Sequence, residues 1–410
     1  MNAMKEKNKN RWLIVLGTVI AQLGLGTIYT WSLFNQPLVD KFGWQLSKVT
    51  VTFSITSFAL AFSTLAGGKL QEKLGIKKLV SISGLVLGIG LILTSKVTSL
   101  PMLYLTAGII VGAADGIAYL TSLSNCIKWF PEKKGLISGI SVGAYGTGSL
   151  IFKYINGSLI SSNGVSVAFL YWGIISMLLV VIGAQLLKDA PTLSTTATAD
   201  SNSTNHDFSV KEMLKTKDAY FLFLIFFTSC MSGLYLIGIV KDIGVQLASL
   251  TPAMAANAVA MVAIFNTAGR IILGALSDKL GRLNVIIFTL TVITASVFVL
   301  SFVHLNFIIF FACVASIAFC FGGNITVFPT IIGDFFGSKN QTKNYGIIYQ
   351  GFGLGALSGS FIATLAGGFI PTFIIVGGLC VVSIILASIM NSTNLNNYFK
   401  RTYKLIGKTS

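Results

Sequence analysis

An all-α membrane protein of twelve transmembrane helices, arranged as two six-helix pseudo-symmetric bundles, is the fold class predicted from three features: composition, recurring apolar runs, and a loop motif that occurs twice. Of the 410 residues, 54% are hydrophobic and only 10% charged, and the mean hydropathy is +0.81; soluble globular chains do not have this balance. A bilayer-spanning helix needs about 20 mostly apolar residues. Runs of that kind occur at 12–34, 48–68, 79–95, 101–125, 135–160 and 165–187, and again at 218–240, 252–275, 285–303, 305–329, 344–370 and 371–390. Little chain is left over for a water-soluble catalytic or sensory domain.

The first run follows a basic flank ending at Arg11 and is longer than the apolar core of a signal peptide, so it is expected to remain as the first span. Between the sixth and seventh runs lies the one long polar stretch, with Pro191 and the low-complexity run Ser194 to Asn205. It reads as a flexible linker. The predicted organisation is therefore a first bundle at 1–187, a linker at 188–217, and a second bundle with a short tail at 218–410.

The net charge of +16 does not point to nucleic acid, because the basic residues sit in short loops and not on one soluble face. Their distribution instead sets orientation. Of the 29 lysines and arginines, 23 fall on the side of the N-terminus and four in the opposite loops. By the positive-inside rule both termini are expected in the cytoplasm, in a cell membrane. The five cysteines, Cys126, Cys230, Cys313, Cys320 and Cys380, fall in or beside apolar stretches without metal-ligand spacing. They read as small buried hydrophobes, with no metal or cofactor implied. Zinc-protease and P-loop motifs are missing from the chain, so an enzyme is not expected. Glycine runs such as Gly143-Ala-Tyr-Gly146-Thr-Gly148 and Gly351-Phe-Gly353-Leu-Gly355 lie within apolar spans, where they suit close helix packing and not dinucleotide binding.

The repeat is the sharpest signal. Gly68-Lys69-Leu70-Gln71-Glu72-Lys73-Leu74-Gly75 follows the second run, and Gly274-Ala275-Leu276-Ser277-Asp278-Lys279-Leu280-Gly281-Arg282 follows the eighth, 206 residues later. The glycines permit close approach of helix ends, and the acid can cap a helix N-terminus or pair with a base across the cytoplasmic side. A gating role is expected for Gly68, Glu72, Lys73 and Gly75, and for Gly274, Asp278, Lys279, Gly281 and Arg282. The pair resembles the loop motif of the major facilitator superfamily in both its copies, and that resemblance covers the whole chain.

Three charges are placed deep in apolar runs: Asp115, Lys153 and Arg270. Ionisable groups within a membrane are costly, and so are candidates for function. Arg270 shares a helical face with Asn266 and Gly274 by its spacing of four. Its planar guanidinium matches a carboxylate, which makes a small organic anion its natural ligand; an ion pair with Asp115 is the structural alternative. Asp115 is the one deep carboxylate available to exchange a proton, or else a fixed pair or cap. Lys153 lies roughly 25 Å into its span at about 1.5 Å per residue, near the far leaflet, where a snorkelling role suffices.

Gly26-Thr27-Ile28-Tyr29-Thr30-Trp31-Ser32-Leu33, Lys128-Trp129-Phe130-Pro131-Glu132-Lys133-Lys134-Gly135-Leu136 and Asn344-Tyr345-Gly346 resemble the oxalate/formate antiporter family. Bacterial monocarboxylate transporters for pyruvate or lactate are the nearest in pattern. The resemblance implies a central anion site at Arg270, with cavity aromatics at Tyr119, Tyr145, Phe321, Tyr349 and Tyr29. Oxalate exchangers of that family carry a second basic residue in the eleventh span; here Phe352 stands at that position, which favours a singly charged acid. The expected activity is secondary transport of lactate, pyruvate or a similar monocarboxylate by alternating access. Proton symport is preferred to oxalate/formate-type exchange. A drug/proton antiporter fits less well, because the fourth span lacks that group's arginine and the fifth lacks its G-x-x-x-G-P motif. A monomer suffices for this architecture, with the bilayer and a proton as its other partners.

Overall fold

The computed structural model describes residues 2–190 and 207–406, all in helices, short turns and connections. The elements are α1 (Asn2–Leu25), a 3₁₀ turn (Gly26–Thr30), α2 (Ser32–Phe42), α3 (Leu46–Leu74), α4 (Ile76–Thr94), α5 (Leu100–Leu103), a π-helical stretch (Tyr104–Ile110), α6 (Val111–Lys128) and α7 (Lys134–Gln185). After the undescribed residues come α8 (Val210–Met213), α9 (Lys217–Gln246), α10 (Pro252–Leu280), α11 (Arg282–Phe302), α12 (Phe307–Phe336), α13 (Gln341–Ile348), α14 (Gln350–Ala366) and α15 (Phe369–Ile406).

Eleven helical segments among the described residues are long and apolar enough to cross a membrane. One of them, α7, is 52 residues long and breaks at Gly164, where φ is +80°. Glycine takes that conformation without the Cβ clash that an L-residue meets. Both arms of α7 pack on α1: a Cβ on Gly148 would lie 2.1 Å from the Leu23 carbonyl, and one on Gly183 would lie 2.6 Å from that of Gly17. The helix is therefore a hairpin of two spans, which makes twelve membrane-length crossings among the described residues.

The first span differs from its expected limits of 12–34. It runs on as α2 to Phe42, through Pro37, and ends at Gly43 with φ +67°. The joint is the buried 3₁₀ turn Gly26–Thr30. It is held by side chains: Trp172 Nε1 donates to Thr27 Oγ1 at 2.8 Å, and Asn156 Nδ2 donates to Thr30 Oγ1 at 2.9 Å. Apolar-run reading stops at Asn35-Gln36-Pro37, but the helix continues, and Gln36 Nε2 donates to Asp40 Oδ1 one turn on at 2.7 Å.

The expected flexible linker is only partly describable, because Ser194 to Asn205 lie outside the described residues. Its two ends are docked, contrary to that expectation. Asn125 Nδ2 donates to the Lys188 carbonyl and its Oδ1 accepts from the Ala190 N–H, both at 2.9 Å. On the other side the Phe208 N–H donates to the Phe336 carbonyl at 2.9 Å, and Ser209 with Glu212 forms a capping box on α8.

Helices of the first half meet those of the second along α3 with α13 and α14, and along α7 with α10 and α12. Glycines set the closest approaches: a Cβ on Gly135 would lie 2.2 Å from the Gly274 carbonyl, and one on Gly139 would lie 2.7 Å from the Arg270 carbonyl. Polar bonds fasten the same seam. Ser138 Oγ donates to the Thr326 carbonyl at 2.6 Å, and Gln350 Nε2 donates to the Ala61 carbonyl at 2.7 Å. The halves are thus joined from the face on which α1 begins, called here the terminal face, inward to the middle of the molecule.

Candidate functional site

Arg270, on α10, sits at the centre of this seam with 2% of its surface exposed. Its Nη1 donates to the Val142 carbonyl of α7 at 2.8 Å, and its Nε is buried without a partner among the described residues. A guanidinium has five donors, so the cation is under-satisfied, and its bond to Val142 crosses from one half to the other. Its central carbon lies 6.0 Å from the Tyr145 ring centre, within reach of a cation–π attraction.

Tyrosines from both halves wall this centre. Tyr145 stands edge-on to Tyr29 at 5.4 Å and to Tyr119 at 5.1 Å; Tyr119 meets Tyr349 of the second half at 5.7 Å. The Tyr29 hydroxyl lies within electrostatic reach of Arg270. Position follows from local structure: Tyr29 is carried by the 3₁₀ turn, Tyr119 by α6, Tyr145 by the first arm of α7, and Tyr349 by the joint between α13 and α14. Gly26 makes the cluster possible, because a Cβ there would lie 1.8 Å from the Tyr145 carbonyl oxygen.

Asp115 is fully buried on α6. Oδ1 accepts from the Tyr145 hydroxyl at 3.2 Å, whereas Oδ2 is buried and unpartnered. The structural alternative of an ion pair with Arg270 is therefore not what the described residues form: Tyr145 stands between the two charges, its hydroxyl on the acid and its ring toward the base.

Two expected cavity residues are differently engaged. Asn266 is buried beside Arg270, yet its Nδ2 donates to the Ala318 carbonyl at 3.1 Å, which ties α10 to α12. Phe321 packs on Gly233 of α9, where a Cβ would lie 2.1 Å from the ring. Sequence reasoning treated Tyr345 only as part of a motif and passed over Phe226. The structure places both against the central cluster, Tyr345 at 5.4 Å and Phe226 at 5.9 Å from the Tyr349 ring. The spacing of four between Tyr345 and Tyr349 was the available signal. Phe352 stacks on Tyr349 at 5.1 Å, so the position of the missing second cation borders the same cluster. Lys153 lies apart, with its ammonium 5.9 Å from the Tyr154 ring. All five cysteines are buried free thiols.

The two loop motifs close the terminal face. Asp278 accepts from the Gly135 and Leu136 N–H groups at 3.0 and 2.9 Å, capping the start of α7 from the other half, and pairs with Arg282 Nη1 at 2.6 Å. Asp334 in turn holds Lys134 at 2.6 Å and Arg282 Nε at 3.2 Å. Glu72 pairs with Lys343 at 2.7 Å, and Gly68 lets the Lys343 stem pass, since a Cβ there would lie 2.6 Å from its Cγ. Gly75 and Gly281 occupy matching positive-φ turns, +75° and +87°. Lys73 and Lys279 are exposed. The Glu72 side chain is 60% exposed, so its pair is worth roughly 0–1 kcal/mol. Glu72→Gln is expected to change terminal-face accessibility less than about fivefold, as read by alkylation of an introduced cysteine.

Twelve helical crossings, two clamped loop motifs and a buried cation on the seam between halves define a membrane transporter and not an enzyme. The chain belongs to the Major Facilitator Superfamily, whose model matches residues 14–261 and 222–392. It is 46% identical over 349 residues to the uncharacterized MFS-type transporter YhjX of Escherichia coli (strain K12), covering 85% of this chain and 86% of that one. It is 29% identical over 358 residues to the oxalate:formate antiporter of Oxalobacter formigenes, covering 85% and 84%. The fold is similar to that of the proton:xylose symporter XylE, with TM-score 0.74 at 14% identity over 92% of this chain and 95% of that one.

Proposed function

We propose that this secondary transporter carries a small monocarboxylate, such as lactate or pyruvate, together with a proton, by alternating access. Arg270 is the observation that carries the reading: a buried, under-satisfied guanidinium, walled by tyrosines from both halves and bonded to a backbone carbonyl across the seam. A carboxylate docking there would supply the missing acceptors, and a cation without its anion disfavours a fully occluded state, which ties closure to loading. The substrate contacts would come from Arg270, Tyr29, Tyr119, Tyr145 and Tyr349, with Asn266 and Phe321 as the neighbouring wall.

Asp115 is the proposed proton carrier, because its free Oδ2 and single hydroxyl partner leave it open to exchange. The loop-motif residues would hold the terminal face shut in one access state. By the lysine and arginine distribution that face is cytoplasmic, with bundles at 1–187 and 218–410 joined by the segment between them. Similarity to an oxalate:formate antiporter favours exchange as the second reading.

Uptake of labelled lactate and pyruvate into proteoliposomes decides between them. An inward proton gradient should drive uptake without internal anion; uptake that requires internal formate or oxalate and ignores the gradient would overturn symport. Phe352→Lys is expected to admit oxalate, at least about tenfold above the parent, because a second cation offsets the second charge of the dianion. Unchanged oxalate uptake by a folded variant would remove Phe352 as the discriminating position.

A further inference from the structure

A recess of about 190 Å³ opens on the terminal face, away from the central seam, lined by Arg11, Trp12, Phe130, Glu132 and Lys133. The Arg11 guanidinium lies over the Phe130 ring at 4.2 Å and pairs with Glu132, while its Nε is buried and unpartnered among the described residues. Trp12 leans on the same ring at 5.3 Å yet is 52% exposed. Lys133 is exposed on the far wall. The recess therefore holds two bases, one acid and an exposed indole.

What continues from it separates a lipid from a soluble anion. Leu13 and Leu16 of α1 are exposed at 44% and 49%, and Trp12 and Leu16 are one turn apart on one face. A cationic recess thus runs straight into an outward apolar stripe on a membrane-spanning helix. Indoles favour the level of the bilayer interface, where one edge is wet and the other apolar.

We propose that this recess binds an anionic phospholipid, with the phosphate on Arg11 and Lys133, Trp12 at the ester level, and an acyl chain along Leu13 and Leu16. Glu132 is the internal competitor for Arg11. Partial burial pushes its carboxyl up, but its own backbone N–H and Arg11 hold it below the usual carboxylate range. At neutral pH it is therefore ionised, and the lipid phosphate must share or displace it.

The test uses the full chain reconstituted in phosphatidylcholine vesicles containing phosphatidylglycerol brominated on its acyl chains, which quenches nearby indoles. Trp12→Phe isolates the emission of Trp12 from that of the other four tryptophans. At equal mole fraction, brominated phosphatidylglycerol should quench Trp12 about fivefold more effectively than brominated phosphatidylcholine, the ratio that one basic residue at the surface provides. The double variant Arg11→Gln, Lys133→Gln should bring the two lipids to parity. Glu132→Gln should raise the preference, a gain that a misfolded protein would not show. Parity in the parent, or a fall in Glu132→Gln, overturns the site. Loss of the preference on adding inorganic phosphate at constant ionic strength would assign the recess to a soluble anion and overturn the lipid.

Discussion

Arg270→Ala is expected to reduce monocarboxylate uptake by about 10²–10³-fold while leaving the protein folded and in the membrane. Removing one partner of a buried, hydrogen-bonded charge pair costs about 3–5 kcal/mol, and each 1.4 kcal/mol is about a factor of ten. In the loaded transporter the partner lost is the one cation at the tyrosine cluster among the described residues, because Lys153 lies elsewhere. In the empty transporter the same change removes one bond to the Val142 carbonyl and one incompletely satisfied buried charge. Those two effects oppose each other, so stability should shift little. Thermal unfolding of the purified variant checks the second statement, and uptake by proteoliposomes checks the first. Arg270→Lys keeps the charge but not the planar fork, and is expected to fall between the two, about 10–100-fold below the parent. Uptake retained in Arg270→Ala would remove Arg270 from the site.

The residues that made this site legible are those the bilayer penalises. An arginine and an aspartate inside apolar runs stand out because their burial must be offset, and the structure brings both to one tyrosine cluster at the seam. The twelve crossings were legible for a related reason: backbone polar groups in lipid have no partner but each other, so apolar length implies helix. What stayed hidden depends on contacts distant in sequence. That Asn266 shares a helix face with Arg270 follows from spacing, but that its amide turns to Ala318 follows from how α12 packs. Phe321 is equally regular in its helix, and a bare glycine at 233 decides where its ring goes. The loop motifs announced acids able to cap or pair. Their partners, the N–H groups of Gly135 and Leu136 for Asp278 and the ammonium of Lys343 for Glu72, are set by the meeting of the halves. The continuation of the first span to Phe42 was obscured by Pro37, which ordinarily reads as a stop.

Those hidden partners make the second large effect specific. Asp278→Ala is expected to open the terminal face about 30–1,000-fold more often than in the parent, from a loss of roughly 2–4 kcal/mol in the closed arrangement. The carboxylate accepts two backbone N–H groups at the start of α7 and neutralises Arg282, whose side chain is only 15% exposed. Hydrogen bonds to a charged group contribute about 1.5–3 kcal/mol each, and water recovers part of that when the face opens. Without the acid, the first turn of α7 faces Gly274 with free donors, and Arg282 is left to share Asp334 with Lys134. Glu72→Gln breaks a pair already bathed in solvent and should do far less, which distinguishes the two copies of the motif by burial and not by sequence. The reporter is Ser138→Cys, a fully buried seam position whose hydroxyl bonds the Thr326 carbonyl. Its alkylation by a membrane-impermeant maleimide should accelerate in the Asp278→Ala background by that factor, against the small background of the five buried native thiols. An Asp278→Asn variant, which keeps an acceptor oxygen but no charge, should fall between. Equal alkylation rates in all three would mean that the other contacts across the seam hold the face shut, and that the acid does not contribute.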